Sequence, residues 1–349
     1  MIIFIFMICS TVYRPNTRND YDRVENSQKK ITNEDKKYYE QWLEPLDSMR
    51  ERPEFDHFIY TRMMGGGLGN QVCHVSFCWS LRDGKMLNRT PVYVHEESKM
   101  HEIDKELAYV FPNYHSKVYF LKKDFKDFHQ FHFAQHCCDY HDPKILLEQN
   151  KGRGLYLTGG PNFLDTRYIE HMRPQILKIF EFGRELVSKV SAIKDKIISE
   201  DTSSHKMCIH TRVGDFKGVG ESKTVEVNKA HVRMLKILKK IIDKTYSLLL
   251  FGTDKDFLKT IKVDESISKV HYIINLNLTR GEELNFATQI CDSFLITAAM
   301  STYATWMGYL MPDDRPIFFI RRLMQNPTID TLYMLPESWI PIDENWLKD

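Results

Sequence analysis

From about residue 55 onward, short apolar runs alternate with longer stretches in which apolar residues recur every three or four positions. Runs at 57–63, 91–95, 207–209, 247–251, 270–274 and 294–297 read as strands. Stretches at 71–87, 228–243, 257–262 and 282–291 read as helices, and a further helix opens at Ser301 and Thr302. A long amphipathic stretch at 167–198, broken near Gly183, carries Ile169, Ile176, Ile179 and Phe180 on one side and separates two halves of this alternation. Strands that alternate with helices in this way predict mostly parallel sheets covered by helices. With 349 residues and 42% hydrophobic content, the chain can support two such units, 55–200 and 201–349, with a cleft between them.

Upstream the pattern changes. Residues 13–54 are mainly polar and charged and lack the material for a core, which predicts a stem. Residues 1–12 (MIIFIFMICSTV) are almost wholly apolar, but an ordinary bilayer span takes ~20 residues, so they read as a signal-like segment or a short signal-anchor. Arg14 and Arg18 follow this segment rather than precede it.

Charge narrows the partners. The balance of 48 basic and 47 acidic residues gives a formal net charge of +1, with no footprint for nucleic acid, so any phosphate recognition must be local. The cysteines at 9, 73, 78, 137, 138, 208 and 291 show no Cys-x-x-Cys spacing, which argues against structural zinc and leaves disulfides open. Asn88 and Asn277 open N-x-T triplets that a lumenal compartment could glycosylate.

In parallel sheets ligands gather beyond the carboxyl ends of the strands, which directs attention to the loops after Ile209, Phe251 and Thr297. The segment 210–216 (HTRVGDF) puts His210 and Arg212 at a strand end, and a guanidinium fork suits a pyrophosphate. Asp215 could bind there or brace Arg212. After the next strand, Asp254-Lys255-Asp256 has the D-x-D form that can hold a divalent cation, although Asp256 could equally begin the next helix as a favourable N-terminal acid. Ser301 and Thr302 offer hydroxyls and free N–H groups at a helix start, a neutral phosphate cradle. Tyr303, Trp306 and Leu310 share the face expected to be buried. In the first half, Gly65-Gly66-Gly67-Leu68-Gly69-Asn70-Gln71 lies between strand and helix, with Gly67 and Gly69 permitting close backbone approach and Asn70 as a candidate cap.

Taken together, the segments 66–71, 210–216, 251–254 and 301–306 resemble, in order and spacing, the α-1,2-fucosyltransferase family, glycosyltransferase family 11. The stretch 154–180 is similar to that family's mid-chain segment, so the likeness covers roughly 59–310. The chain departs from the family pattern at Val213, where a second Arg is usual, and at Thr305, where a Trp pair is usual. The resemblance implies a GT-B-like fold of two Rossmann-like domains, the first on the acceptor side and the second binding the nucleotide sugar. It implies GDP-β-L-fucose as donor, inversion at the anomeric carbon, transfer to the 2-hydroxyl of a galactose on an acceptor glycan, and neither cofactor nor metal. By motif position, Arg212 would neutralise the β-phosphate, His210 would lie beside the nucleotide, and Asp254 would hold guanine or its ribose. Ser301 and Thr302 would bind phosphate oxygens, and Asn70 with Gly67 and Gly69 would face the fucose or acceptor. Glu221, on the glycine-bearing loop after Asp215, is the candidate base for the acceptor hydroxyl. Together with the N-terminal segment, the resemblance implies a type II Golgi membrane protein with a lumenal catalytic domain, touching the membrane through that segment alone; secretion or residence in the ER lumen is the alternative. Protein O-fucosyltransferases share a Gly-Asn-Gln loop and a stretch like 87–90, which keeps a polypeptide acceptor open, and a silent glycan- or nucleotide-binding relative is the non-enzymatic alternative.

Overall fold

The computed structural model describes residues 57–343, apart from 62–66, 82–86, 88, 95–104, 116–118, 122–127, 135–139, 150–151, 153, 160–164 and 324–328. The N-terminal apolar segment, the stem, Asn88, Cys9, Cys137 and Cys138 therefore lie outside the described residues. Two wholly parallel sheets form the frame. The first contains β1 (Phe58–Thr61), β2 (Thr90–Val94), β3 (Tyr119–Leu121), β4 (Phe128–Ala134) and β5 (Gly154–Gly159), in the order β3-β2-β1-β5-β4. The second contains β6 (His205–His210), β7 (Tyr246–Phe251), β8 (Ile267–Tyr272), β9 (Ser293–Ile296), β10 (Ile317–Ile320) and β11 (Ile340–Ile342), in the order β11-β10-β9-β6-β7-β8. Counted within its own half, the second order is 3-2-1-4-5-6, the doubly wound order of dinucleotide-binding folds. The α/β, GT-B-like expectation is borne out.

Around these sheets pack α1 (Leu68–Ser80), α2 (Arg184–Ser199), α3 (Thr224–Leu238), α4 (Lys255–Lys259), α5 (Arg280–Ile290) and α6 (Thr302–Tyr309). The expected helix 71–87 starts earlier and ends earlier, as α1. Gly67 occupies its N-cap position without a side-chain cap, so Asn70 stands inside the first turn and is not the cap. Every α1 residue except Asn70 is buried, because the helix lies between the first sheet and α6. The long stretch 167–198 breaks as expected at Gly183, which precedes α2, and its earlier part is divided into 3-10 turns and the helix Arg173–Ile179 with Pro174 in its first turn.

Although α2 precedes residue 200, it packs on α5 of the second half: Ser191 Oγ donates to Gln289 Oε1 at 2.9 Å and Lys189 pairs with Glu282 at 2.5 Å. A single buried apolar cluster runs from Ile59 and Val72 through Phe180 to Phe251, Phe294 and Trp306, so the two halves share a core. Trp306 marks the seam, with its Nε1 donating to Cys73 Sγ at 3.0 Å. Cys208 on β6 and Cys291 at the end of α5 form a disulfide with Cα atoms 5.6 Å apart, and Cys73 and Cys78 are buried. Asn277 is exposed and left-handed (φ 51°), at the end of the 3-10 turn Ile273–Leu276. Among the described residues, no helix is long and apolar enough to cross a membrane.

Candidate active site

In a doubly wound sheet the ligand crevice opens where the strand order reverses, here between β6 and β9. His210 is the last residue of β6, and α6 begins a short turn after β9. Gly67 and Gly69, at the start of α1, come to the same place from the other domain. Gly69 packs so closely on the start of α6 that an added Cβ would stand 2.5 Å from Tyr303 N and 2.7 Å from Thr302 C. Thr302 Oγ1 donates to Asn70 Oδ1 at 2.6 Å across the seam. Gly69→Ala would therefore force backbone from backbone; the expected cost is about 1–3 kcal/mol of stability, read by chemical denaturation, together with loss of donor binding. Gly67→Ala meets Arg280 Nη1 at 3.5 Å, an ordinary contact, and is expected to leave stability unchanged.

His210 is 3% exposed and its Nδ1 has no hydrogen-bond partner among the described residues. Burial, with the Arg212 charge adding to it, pushes its pKa down to about 3, so the imidazole is neutral at any working pH and offers a polar edge rather than a charge. Its ring centroid lies 5.7 Å from that of Tyr303. Arg212 extends just beyond. Its Nε and Nη2 donate to Asp215 Oδ1 and Oδ2 at 2.9 and 2.5 Å, and its guanidinium sits over Phe216 at 5.2 Å. Asp215 thus braces Arg212. The loop between is pinned at its base: Arg212 N donates to Ser222 Oγ at 2.8 Å, Ser222 Oγ meets Thr297 Oγ1 at 2.6 Å, and Thr297 Oγ1 donates to the His210 carbonyl at 2.8 Å. Beneath it Arg322 Nη2 donates to Glu226 and to the Glu221 carbonyl. The Glu221 carboxylate itself makes no hydrogen bond or ion pair with a described residue.

The two acids of the D-x-D form have separate duties. Asp254 is the N-cap of α4, its Oδ1 accepting from Asp256 N at 3.0 Å and Phe257 N at 2.8 Å, while Asp256 pairs with Lys259 at 3.0 Å. Among the described residues no group of three or more His, Cys, Asp or Glu could hold a metal. Ser301 caps α6, its Oγ accepting from Ala304 N at 3.4 Å, and is buried, whereas Thr302 is partly exposed.

Glu283 is a carboxylate that the sequence pattern did not single out. It lies in the first turn of α5, near the Tyr303 hydroxyl and within the field of Arg212. Burial outweighs both of these and pushes its pKa up to about 7. In sequence Glu282 and Glu283 look alike, as first-turn acids. Glu282 completes a capping box with Thr279, whereas Glu283 is turned about 100° further round the helix, toward the cleft. Tyr303, assigned to the buried face, instead reaches across to donate to the Arg280 carbonyl at 2.7 Å.

A neutral imidazole, a braced guanidinium, a helix start and a carboxylate converge at the switch point of a doubly wound domain, and a second α/β domain closes over them: a glycosyltransferase architecture for a nucleotide-sugar donor. No family model matches the chain. Two Caenorhabditis elegans proteins named galactoside 2-alpha-L-fucosyltransferase are similar to it. One is 23% identical over 341 residues, covering 88% of this chain and 81% of the relative; the other is 22% identical over 297 residues, covering 81% and 76%. Caenorhabditis elegans svh-11, named provisionally for the same activity, is 26% identical over 255 residues, 71% of this chain and 67% of its own. Among solved structures, a mutant of Arabidopsis thaliana FUT1 in complex with GDP aligns over 94% of this chain and 86% of its own at 13% identity, TM-score 0.49. The NodZ alpha-1,6-fucosyltransferase with GDP aligns over 79% and 99% at 14% identity, TM-score 0.42. The chain is a glycosyltransferase related to the galactoside 2-α-L-fucosyltransferases, as its motifs led us to expect.

Proposed function

We propose that the protein transfers L-fucose from GDP-β-L-fucose, with inversion, to a glycan hydroxyl, the 2-hydroxyl of galactose. The observation that carries this reading is the convergence of His210, Arg212, Glu283 and the start of α6 at the β6/β9 crevice. The acceptor oxygen forms a bond to the anomeric carbon as the bond to the β-phosphate oxygen breaks, and both electrons of that bond leave with GDP. Negative charge grows on the diphosphate, where the Arg212 fork and the α6 N–H groups can receive it. Arg212 supplies without a metal the neutralisation that a divalent cation supplies elsewhere, and Asp254 and Asp256 serve helix α4. The Glu221 carboxylate, unengaged and on the same loop, accepts the acceptor's proton.

The nucleotide is read by a different acid from the one its motif suggested. Asp254 Oδ1 is occupied by backbone N–H groups. Glu283 offers two acceptor oxygens that match the adjacent N1–H and 2-amino donors of guanine, an edge uracil lacks. The protein's disulfide suits an oxidising compartment, which supports a lumenal, Golgi-anchored placement through residues 1–12. Calorimetric titration tests the donor: GDP is expected to bind more tightly than UDP and equally well with EDTA. Tighter UDP binding, or binding that needs Mn²⁺, would sink the proposal. Turnover of GDP-fucose on galactosides rather than peptides then separates the glycan from the polypeptide acceptor.

A further inference from the structure

Arg280 stands at the first residue of α5, where the helix dipole disfavours a cation, so its position there needs an offsetting reason. Part of the offset is Glu106, contributed by the helical segment 105–110 of the other half: Arg280 Nε donates to its Oε1 and Nη2 to its Oε2, a bidentate fork between the two halves. That fork fixes where the remaining nitrogen points. Nη1 has no hydrogen-bond partner among the described residues, and it lies 3.5 Å from where a Cβ on Gly67 would be. Two residues on, Gly69 touches the backbone at the start of α6, and Tyr303 of α6 returns to the Arg280 carbonyl at 2.7 Å. Arg280, Gly67, Gly69, the α6 N-terminus and Tyr303 therefore meet at one place on the seam. Tyr303 lies within electrostatic reach of both Arg212 and Arg280.

We propose that Arg280, held by Glu106 with Nη1 beside Gly67, is a second cation for the donor's diphosphate, and that Glu106 is its positioning residue. The inference rests on the GDP-fucose reading and deepens it. A nucleoside diphosphate carries more charge than Arg212 alone can neutralise, and Val213 stands next to Arg212, so no guanidinium comes from that position. Arg280 approaches instead from α5, with the domain seam completing its geometry.

The test is calorimetric titration of the full chain with GDP and with guanosine, comparing wild type, Arg280→Gln, Arg280→Lys and Glu106→Gln. Arg280→Gln should weaken GDP on the order of tenfold while guanosine stays within about twofold, because the lost contact is to phosphate. Arg280→Lys keeps the charge but not the fork and should fall between; it carries the comparison if Arg280→Gln fails to fold. Glu106→Gln should cost less than Arg280→Gln. Unchanged GDP affinity in Arg280→Gln, or equal losses for GDP and guanosine, overturns the proposal. So does a Glu106→Gln loss as large as that of Arg280→Gln, which would make the pair a tie between domains. If wild type prefers UDP, the donor reading itself has failed and this inference falls with it. If wild type binds GDP normally and Arg280→Gln matches it, only this inference is lost.

Discussion

Arg212→Ala is expected to lower kcat with GDP-fucose on the order of 10²–10³-fold while leaving the folded protein intact, since loss of one preorganised charge-stabilising donor typically costs that much. The fold should tolerate the change because Arg212 is partly exposed and its partner Asp215 is more exposed still, so no buried charge is orphaned. Arg212→Lys should recover little. A lysine supplies charge but not the planar guanidinium, whose Nε–Nη2 edge Asp215 holds while its remaining Nη hydrogens are left for phosphate oxygens. Asp215→Asn should cost less than either, since it loosens the fork without removing it. Initial-rate measurement of GDP release, with thermal denaturation alongside, checks all three. Near-wild-type turnover in Arg212→Ala would place the leaving-group chemistry elsewhere.

The second large effect concerns Glu283. With its pKa at about 7 in the free protein, the carboxyl group is mostly protonated below that pH. Guanine's N1–H and 2-amino group require the ionised form, so binding below pH 7 must expel a proton. The sign follows: GDP affinity is full above pH 7 and falls as pH drops, approaching about tenfold per unit. In Glu283→Gln this dependence should vanish, and affinity at pH 8 should drop on the order of 10–100-fold, because the new amide N–H faces a guanine donor. Stability of the ligand-free protein moves the other way. A carboxyl whose folded pKa is raised contributes stability below its unfolded value, and that contribution is lost as pH rises toward 7. Ligand-free Glu283→Gln should accordingly melt higher than wild type at pH 8. GDP affinities from pH 5.5 to 8.5 in both proteins decide the matter, and an unaltered pH profile in the variant would remove Glu283 from the nucleotide site.

Much of this was legible from the chain. Apolar runs of strand length separated by amphipathic stretches are a local signal, because burial on both faces of a parallel sheet requires it, and β6, β7, β9, α3 and α5 fall where the pattern put them to within a few residues. The same locality marked His210, Arg212 and Ser301, since a strand end and a helix start carry their own sequence signs. It also limited the reading. Asn70 looked like a cap because a cap is what Asn does before a helix. Only the folded chain shows that α1 begins earlier, at Leu68, and that Asn70 faces Thr302 of the other domain.

The sequence by itself determined the alternation of strand and helix, the loops that bear chemistry, the absence of a global basic footprint and the relationship to fucosyltransferases. These follow from short-range periodicity, backbone demands at turns and overall charge, all of which can be read in one window of chain. The tertiary structure alone decided which carboxylates and cations share a space. Glu283, Arg280, Glu106 and Tyr303 come from α5, the segment 105–110 and α6, and nothing in their local sequence separates a cleft-facing charge from a solvated one. Burial and the field of distant neighbours set the protonation of Glu283 and Tyr303, and both depend on how two sheets that share one core come together at the crevice between β6 and β9.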